Sequence, residues 1–341
     1  MTRDPVIDAL RFIGLMLIIL AHVSPPEFLF QIRTFDVPLM VFVSGLSYYI
    51  SVSNDYRYSK YVKARFIRLV LPVWVFFTIF YFFCFAFDVQ VFKQYLNAKT
   101  VLSTFILSGF GYVWIIRVFL IIAIISPLLI YFTSKRSYVY DLAFITALIL
   151  TSETLNYFSY FFNNKYLLFL IKEVIINALS YSVLFILGFK WRCYNLTQKF
   201  KVYGFILFTL LMLVGLKMKL GGDFNLQNYK YPPQIFYITY SVFMTCTLYL
   251  ALEYYSNRNR TVFSNNKILC FMSSNSIWIY LWHIPVVEYF KLSGNEWEFY
   301  KRYVLVIIVS VFIAYIQVTF IKSVFKQKTN VSRVINKIFT G

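Results

Sequence analysis

Histidine is almost missing from this chain, two among 341 residues, and cysteine is scarce at four. Cys84, Cys246 and Cys270 lie in apolar runs and Cys193 in a loop, with no CxxC, so neither a disulfide framework nor a zinc site is implied and no metal is expected. No Ser/Gly/Pro-rich linker interrupts the chain, and it is expected to form one transmembrane domain over 1–341 with a basic tail at 322–341. Internal repeats of the kind that build many secondary transporters are absent. The first apolar run is too long, and lacks the small-residue cleavage site, to be a removed signal peptide.

What the chain has in abundance is apolar and aromatic surface. Hydrophobic residues make up 60%, with 39 Phe and 29 Tyr, and mean hydropathy is +0.67. Soluble domains cannot bury that much, so the composition predicts an all-α integral membrane protein. Apolar windows fall near 5–23, 37–53, 67–88, 113–134, 139–157, 169–189, 201–218, 233–254, 268–290 and 302–324, about ten spans. The formal charge of +19 suggests nucleic acid at first sight, but its distribution argues for topology instead. With a cytoplasmic N-terminus, the inner segments hold about 19 Lys/Arg and the outer loops about 10, as the positive-inside rule requires. The inner groups include Arg57, Lys60, Lys63 and Arg65; Lys135 and Arg136; Lys190 to Lys201; and Arg258, Arg260 and Lys267. Both termini are then cytoplasmic, the tail lies against anionic headgroups, and no nucleic-acid partner is expected. The outer segment from Phe92 to Leu107 is expected to form a helix on the surface.

Arg11 and His22 are eleven residues apart in the first span. Eleven helical steps make about three turns, so the two side chains share a stripe with about 16 Å between them. Ionisable groups at membrane depth face a bundle interior or a water-filled cavity, so this stripe reads as one wall of a site. Arg65 and Arg68, at i and i+3, form a guanidinium fork suited to phosphates at the inner end of the third span. His283, in Tyr280-Leu-Trp-His283-Ile-Pro285, falls at the same depth as His22. Asp36 or Glu173 is placed to orient a histidine, and Arg117, after Trp114, to stabilise an oxyanion or hold a sugar oxygen.

Taken in order, these motifs resemble membrane-bound acyltransferase family three. They are Arg11-x10-His22, Phe35-Asp36-Val37-Pro38-Leu39 with Ser44-Gly45, Arg65-x-x-Arg68, Trp114, Phe185-Ile-Leu-Gly188-Phe and Tyr280-Leu-Trp-His283. The fucose acetylase-like branch is the nearest in pattern, although it commonly carries histidine where this chain has Asp36. The resemblance implies acetyl-CoA as a cytoplasmic acyl donor and an extracytoplasmic or lipid-linked glycan hydroxyl as acceptor, in a bacterial inner-membrane protein that finishes the transfer alone or hands over to a separate partner; whether it forms a homodimer is left open by the sequence. Arg11, Arg65 and Arg68 would hold the phosphates, His22 and His283 the catalytic roles, and Arg117, Asp36, Glu173 and Trp114 the substrate or oxyanion. Two other classes compete. A carrier or flippase for lipid-linked glycans or organic anions also uses intramembrane arginines, but without paired repeats here. A glycan polymerase or ligase would want a larger outer loop than one holding only Lys93 and Lys99.

Overall fold

A computed structural model describes residues 4–51, 58–133, 136–258, 266–294, 297–326 and 329–340. Arg57, Lys135 and Arg260, and positions 327, 328 and 341 of the tail, lie outside them. The described residues contain helices and no strand, and nine of the helices are long and apolar enough to cross a bilayer. Phe82, Phe83, Phe85, Phe208 and Phe320 are all more than half exposed, which suits a lipid surround and not water. The protein is an all-α, multi-pass integral membrane protein.

Helix α1, Pro5–His22, shows how local chemistry sets the ends. Asp4 Oδ1 accepts from the backbone N–H of Val6 and Ile7 at 2.9 and 3.2 Å, and Pro5 occupies the first helical position, where its missing N–H costs nothing. The helix stops at His22, before Ser24 in the left-handed region and the Pro25-Pro26 pair. Helix α2, Glu27–Ile32, runs through a 3-10 turn, Arg33–Phe35, into α3, Asp36–Ser51, so the second span begins ten residues before the expected boundary. Helices α4, Tyr58–Ala86, α5, Ala98–Phe105, α6, Trp114–Thr133, and α7, Tyr138–Ser159, follow. Glu153 does not interrupt α7; its carboxylate accepts from the N–H of Ile235, at the start of a later helix. Helix α8, Lys165–Phe169, passes through a π-helical stretch, Leu170–Ile176, into α9, Asn177–Trp191. Helices α10, Leu196–Leu220, and α11, Ile235–Arg258, complete this half of the chain.

The expected ninth span, 268–290, is two helices: α12, Lys267–Ser274, and α13, Ser276–Leu292. The break falls at Asn275, whose side-chain amide donates to Phe271 O at 2.7 Å within a Ser-Ser-Asn-Ser run that competes with the helical ladder. Helices α14, Phe299–Val324, and α15, Asn330–Phe339, close the chain. The outer segment does not lie flat as one surface helix. A 3-10 turn at Gln90–Tyr95 and α5 fold back along α4, where Trp74 Nε1 donates to Phe105 O at 2.9 Å and Tyr81 and Thr104 share a hydroxyl bond of 2.9 Å. Trp74 is twelve residues from the end of α4, so this re-entrant segment reaches about 18 Å down the helix.

The chain divides into two compact units. One comprises Met1–Leu10, Gln31–Tyr56 and Ile121–Ser264; the other comprises Arg11–Phe30, Arg57–Leu120 and Asn265–Gly341. In the first unit α3 and α9 pack at closest range, and the reason is a pair of glycines. A Cβ at Gly45 would collide with the carbonyl of Phe185, and one at Gly188 with the carbonyl of Phe42. Small residues let membrane helices approach backbone to backbone, which explains why Ser44-Gly45 and Gly188 stand out in the sequence. In the second unit α13 and α14 pack along each other, and Tyr303 of α14 donates to Met16 O of α1 at 3.1 Å.

The tail folds on this second unit. Phe339 stacks on Trp278 at 5.5 Å and 7°, Trp278 Nε1 donates to Ile338 O at 2.7 Å, and Gln317 Nε2 to Phe339 O at 2.9 Å. Its Arg333 and Lys337 stay exposed. The glycine contacts give a direct test. Gly188→Ala should lose about 1–3 kcal/mol of stability by overpacking, seen as a lower thermal unfolding midpoint in detergent, while Gly204→Ala, which meets open space, should not fall. An unshifted midpoint for Gly188→Ala would contradict the crossing.

Candidate active site

The two histidines of the sequence are neighbours. His22 Nδ1 and His283 Nε2 are 3.0 Å apart, with ring centroids at 5.1 Å. His22 is the last residue of α1 and partly exposed; His283 is completely buried in the middle of α13. Its Nδ1 bonds the carbonyl of Tyr280 one turn back.

These contacts assign the protons. A carbonyl only accepts, so Nδ1 of His283 carries hydrogen. A fully buried ring avoids an uncompensated charge, so its Nε2 is the lone-pair nitrogen. His22 must then donate from Nδ1, which leaves its own Nε2 as a base. A backbone carbonyl therefore sets the tautomer of both rings. In this arrangement the N–H of His283 is taken by Tyr280 O and its Nε2 faces His22.

Tyr112 closes the site from the side. Its ring meets His22 at 4.6 Å and His283 at 5.7 Å, both edge-on. Its hydroxyl donates to Glu288 and receives Lys291 Nζ at 2.8 Å, and its carbonyl accepts from Tyr280 Oη at 2.5 Å. Tyr95 donates to the other oxygen of Glu288, and Lys291 bonds Glu288 Oε1 at 2.9 Å. Burial, and then the bond to Glu288, push both phenols above the ordinary tyrosine range, so they remain donors. Glu288 itself is buried, a carboxylate at 4% exposure satisfied by three donors.

The remaining expected residues distribute as follows. Arg65 and Arg68 stand at i and i+3 in the first turns of α4, with Arg65 over the ring of Tyr61 at 5.2 Å. Arg11 lies half-buried on α1, about 16 Å of helix before His22. Arg117 is buried in the first turn of α6, with Trp114 one turn before it and Tyr112 two residues before that. All of these belong to the unit that holds the histidines.

Asp36 and Glu173 belong to the other unit. Asp36 is committed there to Arg33 at 2.7 Å, to Lys230 at 3.3 Å and to the N–H of Val37 at 2.8 Å. Burial pushes the Lys230 ammonium below the ordinary lysine value while Asp36 pulls it back. Glu173 sits in the π-helical stretch before α9. The carboxylate on the histidine-bearing helix is Glu288, which the sequence reading passed over. A Glu288/Lys291 pair at i, i+3 after His283 is a visible signal, whereas Tyr112 has nothing to distinguish it among 29 tyrosines. Among the described residues no group of three or more His, Cys, Asp or Glu could hold a metal ion.

Two imidazoles in contact, one buried and one partly exposed, thus stand in a multi-pass membrane protein with a guanidinium fork on a neighbouring helix. The profile of the acyltransferase domain of acyltransferase family 3 matches residues 4–319, and the chain belongs to that family. No curated protein and no solved structure matches it significantly. Nitrogen-15 NMR of labelled protein should show both histidines protonated at Nδ1 and bare at Nε2; a His22 carrying its proton on Nε2 would refute the assignment.

Proposed function

We propose that the protein transfers an acetyl or similarly short acyl group from acetyl-CoA on the cytoplasmic side to a hydroxyl of an extracytoplasmic or lipid-linked surface glycan, in the bacterial inner membrane. Membership of the family supports acyl transfer, and the observation that carries the rest is the 3.0 Å His22–His283 contact on the stripe that also bears Arg11. The donor combines phosphates, which suit Arg11, Arg65 and Arg68, with a thin pantetheine arm comparable in length to the Arg11–His22 separation.

Nε2 of His22 takes the proton of the acceptor hydroxyl as its oxygen attacks the thioester carbon. The new C–O ester bond forms, the C–S bond breaks, and the departing thiolate recovers that proton from Nε2 to leave as CoA thiol. His283 holds the His22 ring through Nδ1 throughout. Arg117 stabilises the negative charge that collects on the thioester oxygen between the two steps.

The assay is release of CoA thiol by purified full-length protein in detergent, with acetyl-CoA and the host's envelope glycan fraction. His22→Ala should lower turnover by about 10²–10⁴-fold, the usual contribution of a positioned base. The Arg65→Ala/Arg68→Ala double variant should raise KM for acetyl-CoA more than that for the glycan, and an unchanged donor KM would refute the phosphate assignment. No CoA release by the wild type would favour a carrier. Mass spectrometry of envelope glycan with and without the gene identifies the acceptor.

A further inference from the structure

Both ends of Tyr112 are tied to the helix that carries His283. Its carbonyl takes the hydroxyl of Tyr280, three residues before His283, and its own hydroxyl takes Glu288, five residues after it. The residue thus staples across the imidazole from the outside, and its ring edge touches both histidines. Lys291 bonds both Glu288 and the Tyr112 hydroxyl, so the charge of the buried carboxylate is partly answered.

The backbone that delivers Tyr112 is strained. Leu107 and Phe110 lie in the left-handed region at φ 59° and 57°, beside Gly111 at 62°. Non-glycine residues in that region cost about 1–3 kcal/mol each and persist only where the surroundings over-determine them. Here the surroundings are visible. Phe110 packs on Phe77 at 5.2 Å and on Tyr95 at 4.4 Å, and Gly109 lies so close to Ser103 that a Cβ there would collide with it. Folding the re-entrant segment against α4 fixes Phe110, and Phe110 fixes the turn that places Tyr112.

Resting on the proposed acyl transfer, we infer that Tyr112 and Glu288 are positioning residues of the site: Glu288 holds the Tyr112 hydroxyl, and the Tyr112 ring holds His22 in line with His283. The network acts on the geometry of the base and leaves the donor's phosphates untouched, so its loss is felt in turnover and not in donor affinity. Misplacement of a reacting group by about 1 Å costs on the order of 100-fold in rate.

The test uses full-length protein, acetyl-CoA and the host's envelope glycan fraction. Tyr112→Phe, which keeps the ring and loses the link to Glu288, and Glu288→Gln, which keeps the shape, should each lower kcat about 10- to 100-fold. KM for acetyl-CoA should stay within about twofold, since no phosphate contact is lost. The Tyr112→Phe/Glu288→Gln double variant should be no slower than the slower single one, because Tyr112→Phe removes and Glu288→Gln weakens the same link. A rise in donor KM in place of the fall in kcat, or multiplicative losses in the double variant, would overturn the inference. Wild-type kcat in both single variants, with His22→Ala inactive, would overturn it alone. An active His22→Ala would overturn the base assignment, and the inference with it.

Discussion

An imidazole is a base only through the nitrogen that lacks a proton, and in this protein the choice is made by a carbonyl. Tyr280 O fixes the proton of His283 on Nδ1, His283 in turn fixes that of His22 on Nδ1, and the lone pair of the pair emerges at one atom, Nε2 of His22. The order matters because it places the constraint in the interior, on one helix, and the nitrogen that is left without a proton at the end of another. Three contacts surround the two rings: Tyr303 ties α14 to α1, Tyr112 meets both rings edge-on, and Glu288 accepts from Tyr112.

Part of this is legible in the sequence alone. The spacing of Arg11 and His22 follows from helical periodicity, and the common depth of His22 and His283 follows from counting spans. Their actual contact does not follow from either. From sequence alone Asp36 or Glu173 is the carboxylate expected to orient a histidine. Asp36 proved to be committed to Arg33 and Lys230, the latter supplied from a loop 194 residues away in sequence. Long-range pairing of that kind has no local signature.

The ninth expected span is divided for a physical reason too. Hydropathy over 268–290 is continuous, yet the short polar side chains from Ser273 to Ser276 draw the backbone out of its ladder and divide the span into α12 and α13. The re-entrant segment from Gln90 to Phe105 is the converse case. Its polar and aromatic composition reads as surface, but Trp74 and Tyr81 of α4 offer a hydrogen-bond donor and a hydroxyl at depth, which lets α5 leave the interface. The glycines of α3 and α9 were visible as motifs, and only their mutual crossing explains them.

The tail gives α13 a second anchorage. Trp278, near its first turn, is gripped by Ile338 and Phe339, and Lys291, in its last turn, is gripped through Tyr112. A helix fastened at both extremities does not slide, so the imidazole at its midpoint is a fixed post. Whatever meets such a post has to come to it, because the helix leaves the ring no travel of its own.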